Sequence, residues 1–229
     1  MQYLEYNTKD KSTWGDGPWQ NEPDKRQWRD EATGLPCLIV RGPLGALCGY
    51  VGVSRRHKAY GRGYDDVHVE VHGGLTFAGP CTKDGNQEEH ICHRVEPGED
   101  DRVWWLGFDC SHAFDLSPAH EAEMDAIYKK MDKPRPTSAF KDDPAYRDVY
   151  RDIAYVEAEV AGLAAQLKSP ALSVEPRWRT FARKLNSLQF VVQGLFSEQE
   201  SFRRMSRLRI RMWASDFRRK LKRLWEMKL

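Results

Sequence analysis

All five cysteines and all seven histidines of this 229-residue chain fall between Cys37 and His120. These are the side chains that hold metals, shuttle protons and attack carbonyls, so the chemistry of the chain is concentrated there. The stretch VHVEVHGGLTF, from Val67 to Phe77, carries two of the histidines. Read at the strand period, His68, Glu70 and His72 share a face opposite Val67, Val69 and Val71. Along a straight strand His68 and His72 stand ~13 Å apart, too far to share one ion whose bonds are ~2 Å. Glu70 and His72 could converge. Two glycines directly after a histidine mark a bulge or sharp bend. They also leave backbone N–H groups uncovered beside an imidazole, where an anion or oxyanion could rest. A ligand pocket is therefore expected at His68, Glu70, His72, Gly73 and Gly74, with Trp105 as an aromatic wall.

Two further chemistries fit the same region. Cys81, His90, Cys92, Cys110 and His112 offer a tetrahedral Zn²⁺ set, with His90/Cys92 and Cys110/His112 each two residues apart so that an extended chain turns both members one way. No Cys-x-x-Cys accompanies them, and the spacing matches no standard zinc finger. The alternative is a nucleophilic set, with His72 as base, Asp109 as orienting acid and Cys110 or Cys48 as thiol. The bland reading is a group of buried thiols and scattered surface histidines.

These residues need a scaffold. PCLIVRG and ALCGYVGV, separated by PLG, read as a β-hairpin. VHVEVHGGLTF reads as a third strand and RVWWLGFDC as a fourth, which predicts a mainly antiparallel four-stranded sheet. Residues 1–34 are turn-rich and read as a loop whose Trp14 and Trp19 cover the core. A helix is expected after Ser117 and Pro118. A second should start near Asp143-Pro144, with apolar positions running from Tyr146 through Val149, Tyr150 and Ile153 to Leu167, and stop at Lys168-Ser169-Pro170. Two more are expected beyond, the last opened by a capping box of Ser197 and Glu200. The fold class is thus α+β, a sheet followed by a helical C-terminal half. It divides into a His/Cys-rich domain over 1–132, a helix over 143–169 packing on it, and a basic helical extension over 170–229.

Net charge is +2, but it is unevenly spread. Residues 170–229 hold 15 Lys+Arg against 5 Asp+Glu, and the rest of the chain holds 21 against 29. Arg203, Arg207, Arg211 and Arg218 form a stripe beside Trp213 and Leu221, suited to nucleic-acid phosphates or to packing on neighbouring helices. No run approaches the ~20 apolar residues of a membrane span. The first residues, MQYLEYNTKD, lack a signal peptide's blocks, so a cytosolic chain without a full disulfide framework is expected.

The segments DEATGLPCLIVRGPLGALCGYVGV, HGGLTF, ICH, WWLGFDCSH and YRDIAYVEAEVAGLAAQL, spanning approximately residues 8–167, resemble a family of uncharacterised proteins of bacteriophages and prophages. The resemblance implies an accessory protein working in the host cytoplasm. The leading expectation is a protein that binds a host-derived ligand, a nucleotide being one class, or a host component, to blunt host defence. The rivals are a hydrolase using His72 with a metal or with the Cys/His/Asp set, and a nucleic-acid-binding protein acting through the basic tail. An oligomer is compatible with each.

Overall fold

The computed structural model describes residues 2–81, 88–95, 102–136 and 148–176. The chain divides into a unit of Met1–Pro176 and one of Arg177–Leu229, and all the described residues belong to the first. The two last expected helices and the arginine stripe of Arg203, Arg207, Arg211 and Arg218 lie outside the described residues, as do Tyr146 and the Asp143-Pro144 helix start.

The expected hairpin forms, with Pro36–Arg41 as β3 and Leu47–Val53 as β4, paired antiparallel from Cys37 opposite Val51 to Arg41 opposite Leu47. Trp104–Asp109 (β7) lies along the free edge of β4, with Cys48 opposite Asp109, and Phe77–Pro80 (β6) follows on β7. On the other side β3 is joined by Lys25–Arg29 (β2) and then Leu4–Tyr6 (β1). The sheet is therefore antiparallel but six-stranded, in the order β1-β2-β3-β4-β7-β6, not four-stranded. Of its unexpected members, β1 and β2 come from the segment read as a loop, and β6 from the end of the expected third strand and the residues just after it. KRQWR shows no apolar alternation because one of its buried residues is Lys25, 1% exposed, which donates to the carbonyls of His90 (2.9 Å) and Cys92 (2.6 Å). Burial pushes that ammonium down to about 8.

The expected third strand breaks up. Val67–His68 (β5) pairs with Ser173–Val174 (β8) rather than with the main sheet, and of the remainder only the last residue, Phe77, joins that sheet, as the first residue of β6. Strand residues thus reappear after the helices, so the helices do not simply follow the sheet.

Both faces of the central sheet are covered. Cys37, Ile39, Val51, Leu106 and Phe108 point to one side, and Leu38, Val40, Tyr50 and Trp105 to the other. This is why β3 and β4 read as near-continuous apolar runs. The first face receives Ile153–Lys168 (α2) through Val156, Val160, Leu163 and Leu167, each at most 1% exposed. Burying each of those side chains stabilises by roughly 1.5–3 kcal/mol. Gly49 of β4 allows the close approach, since a Cβ there would stand 2.6 Å from Val160. The other helix, Pro118–Lys130 (α1), starts where expected, with Ser117 at its N-cap and Pro118 at its first position.

The second helix starts at Ile153, ten residues later than expected. Asp152 caps it by accepting from the Tyr155 amide at 2.9 Å. Val149 instead bridges to Asp115, and Tyr150 enters a buried ionic network. In that network Arg41, whose side chain is fully buried, donates to Asp24 (2.8 Å), to Glu22 (3.1 Å) and to the Tyr150 hydroxyl (2.7 Å). Lys11 pairs with Asp24 at 2.8 Å, and Glu22 accepts from the Tyr150 hydroxyl and from the Ile153 amide at 2.8 Å. Burial would raise the Asp24 carboxyl, but hydrogen bonds from Lys11 and the amides of Lys9 and Thr8 outweigh it and hold the group low. Two buried cations thus meet two buried anions, the condition under which such charges are tolerated. Among the described residues no helix is long and apolar enough to cross a membrane.

Candidate functional site

The segment after β5 finds its hydrogen-bond partners on a helix instead of a strand. The Gln166 amide both accepts from Glu70 N and donates to Glu70 O, each at 2.7 Å, and Glu159 accepts from His72 N at 2.8 Å. Tyr155, Glu159 and Gln166 stand four and seven residues apart on α2, so one stripe of the helix grips this segment while another packs on the sheet. The chain then turns sharply, with Gly74 N donating to Val71 O at 3.0 Å. Gly73 has φ +64° and Gly74 φ +85°, the left-handed region that favours glycine. At Gly73 a Cβ would also fall 2.1 Å from the His112 ring. The first glycine is thus a turn residue that lets a second imidazole come down onto the backbone beside His72.

Around that turn five side chains converge. His72 Nε2 lies 2.7 Å from Asp115 Oδ2, and His72 Nδ1 lies 3.0 Å from the Tyr155 hydroxyl. An ionised carboxylate only accepts, so in the neutral ring the His72 proton sits on Nε2 and Nδ1 accepts from the phenol. The other Asp115 oxygen accepts from Arg151 Nε at 2.9 Å, and Oδ2 also receives the His112 amide at 3.1 Å. Burial would raise the Asp115 carboxyl, but the bonds from His72, Arg151 and the His112 amide outweigh it and keep the carboxyl below its usual range. Burial, helped by the nearby Glu159 charge, pushes the Tyr155 phenol up. The rings of His72 and His112 meet edge to face at 5.5 Å, and one donor atom from each of His72, His112 and Asp115 falls within 4.8 Å of the others.

No protein-family model, curated protein or solved structure matches this chain. What the site can do rests on its own geometry.

Of the cysteines, Cys110 lies within electrostatic reach of Asp115, Arg151 and Tyr155, but as a buried thiol. Cys110 is 1% exposed and burial pushes its thiol up, which suits a core residue and not a nucleophile. Cys48 is pushed up to about 11, also by burial. Asp109 turns to Ser111, accepting from its amide (3.1 Å) and hydroxyl (2.6 Å), so the carboxylate that orients His72 is Asp115. The expected zinc set is also redistributed. Cys81 and Cys92 are joined in a disulfide, His90 lends its carbonyl to Lys25, and of that set only His112 reaches His72. A spacing of two turns both side chains one way only in extended chain, whereas residues 112–115 form a turn closed by Asp115 N to His112 O at 3.0 Å.

The expected ligand wall is not there either. Trp105 is fully buried in the core on the sheet face away from α2, against His93. His68 is half-exposed and stands 3.4 Å from Glu175, and with Glu70 it borders a shallow groove separate from the His72 cluster. Among the remaining histidines, His57 bonds the Leu167 carbonyl at 2.9 Å and so finishes the end of α2. Asp115, Arg151, Tyr155 and Glu159 are the residues around His72 that sequence reasoning did not find. The local signal for the first was the spacing of His112 and Asp115, suited to a turn in which a carboxylate caps the amide three residues back.

Proposed function

We propose that the protein is a phage accessory protein working in the host cytoplasm, whose His72 cluster binds and hydrolyses a small host-derived ligand, nucleotides being the class to test first. The observation that carries this reading is the double engagement of His72, with Asp115 at 2.7 Å on one ring nitrogen and the Tyr155 hydroxyl at 3.0 Å on the other. A buried carboxylate that fixes an imidazole's tautomer, with an O–H on the imidazole's other nitrogen, is the arrangement that general acid–base chemistry requires. Here the O–H belongs to a phenol. With its pKa raised by burial, Tyr155 suits a proton donor to a leaving group better than a phenolate nucleophile. Arg151, 5.0 Å over the Tyr155 ring, adds a cation on the face of that phenol. The resemblance to phage proteins supplies the biological setting.

The test is turnover of a panel of nucleotides and phosphoesters by the whole chain. His72→Ala should abolish turnover, and Tyr155→Phe should lower it ~10²-fold or more. No turnover of any member, or turnover unchanged in His72→Ala, would reject hydrolysis. A second reading, capture of the ligand without turnover, is favoured by the burial of Cys110 and Cys48, whose raised thiols are unsuited to nucleophilic attack. Tight binding by a chain that turns nothing over would select it.

A further inference from the structure

We infer that His72, His112 and Asp115 hold a divalent transition-metal ion of the zinc class. The inference rests on the His72 cluster being the working site, but its test reads metal and not turnover. Tetrahedral zinc with bonds of ~2.0–2.2 Å keeps its ligand atoms ~3.3 Å apart. The separations here bracket that value: His72 Nε2 to Asp115 Oδ2 is 2.7 Å and His112 Nδ1 to Asp115 Oδ2 is 3.6 Å. All three donors already sit within 4.8 Å of one another, so ligation needs only small side-chain rotations.

The second observation is His112 itself. Its Nδ1 is buried without a hydrogen-bond partner, 3.6 Å from a carboxylate oxygen. A buried polar atom left unsatisfied is destabilising, and a lone pair given to a cation removes that cost. The ring is held there by the bare backbone of Gly73, the contact that excludes any side chain at that position.

The surroundings are those a metal site needs. A ligating histidine normally directs its other ring nitrogen to a fixed partner, and ligating carboxylates are hydrogen-bonded in turn. With an ion on Nε2, His72 carries its proton on Nδ1 and donates to the Tyr155 oxygen 3.0 Å away. Arg151 already holds the second oxygen of Asp115 at 2.9 Å. Two imidazoles and one carboxylate favour zinc and its neighbours over calcium or magnesium, which prefer all-oxygen sets. Three protein ligands leave a fourth position for water or a ligand atom.

The experiment uses the untagged full chain, stripped with chelator and titrated with Zn²⁺ by calorimetry and with Co²⁺ by visible absorption. One equivalent should bind. His112→Ala and Asp115→Asn should each weaken binding by more than ~100-fold, and Tyr155→Phe by roughly tenfold, the range for outer partners. His68→Ala, on the separate groove, should bind as the parent does. Ring-proton NMR signals of His72 and His112 in the unsubstituted chain give the same answer without depending on how a variant folds, because both should move on adding Zn²⁺. No uptake by folded protein, unmoved ring signals, or full binding in both His112→Ala and Asp115→Asn would overturn the inference. Metal uptake without turnover would sink the hydrolytic reading alone, and turnover in metal-free protein would leave that reading standing without the ion.

Discussion

Replacing Gly73 by alanine separates two effects that the structure puts at one position. The residue has φ +64°, and holding an L-residue there costs ~1–2 kcal/mol. The new Cβ would lie 2.1 Å from His112 Cε1 and 2.5 Å from Nε2, so the ring must retreat by more than ~1 Å to restore contact distance. Overpacking of that kind adds ~1–3 kcal/mol. Gly74 is the internal control, because its φ is +85° but nothing lies within 4 Å of a Cβ there. Urea denaturation should therefore show Gly74→Ala losing ~1–2 kcal/mol and Gly73→Ala losing ~2–5 kcal/mol. In a His112→Ala background the gap between the two should close, because the obstructing ring is gone. Equal losses in the parent, or a gap that survives without His112, would refute the placement of that ring against the turn.

Asp115 should reveal itself at acid pH. Its folded pKa is depressed, so its stabilisation is complete above the unfolded value of ~3.9 and is lost as pH falls through the folded one. Asp115→Asn should accordingly be less stable than the parent near pH ~6, with the difference vanishing at the acid end of a pH-dependent urea series. Lys25 acts at the alkaline end. With a folded pKa of about 8 against an ordinary value of 10.5, the unfolded chain holds the extra proton between those limits. Stability should rise with pH across that window, and the rise should be absent in Lys25→Met. Arg41→Met strands Glu22 and Asp24 in the interior, and thermal or urea denaturation should show a loss of ~3–5 kcal/mol. A loss below ~1 kcal/mol would mean the network is not closed.

The parts of the fold that were legible in the sequence are those where local chemistry and tertiary burial agree. The β3–β4 hairpin is apolar on both faces because both faces are covered. The first turn of α1 is written in Ser117-Pro118. Where polar groups are buried, the signal inverts. β2 hides a lysine and leads from two buried acids, so its sequence reads as a loop. The apolar spacing through Val149 and Tyr150 continues the α2 pattern, yet Asp152 caps the helix after them, the Val149 backbone bridges to Asp115 and the Tyr150 side chain joins Arg41. At the site, His72 and the glycines were visible because their types are unusual within a strand. Asp115 and Tyr155 were not, because they approach His72 from 43 and 83 residues away, and no local spacing encodes such a meeting.

The stretch from Tyr150 to Tyr155 threads two separate circuits. Tyr150 and the Ile153 amide plug into the Arg41–Glu22 hub, while Arg151 and Tyr155 plug into the Asp115–His72 cluster. Inserting or deleting one residue there would shift the downstream contacts out of step with the upstream ones, however well the β-scaffold survived. The six positions therefore work as a ratchet with a single setting, and natural length variation should be tolerated in surface turns well before it is tolerated here.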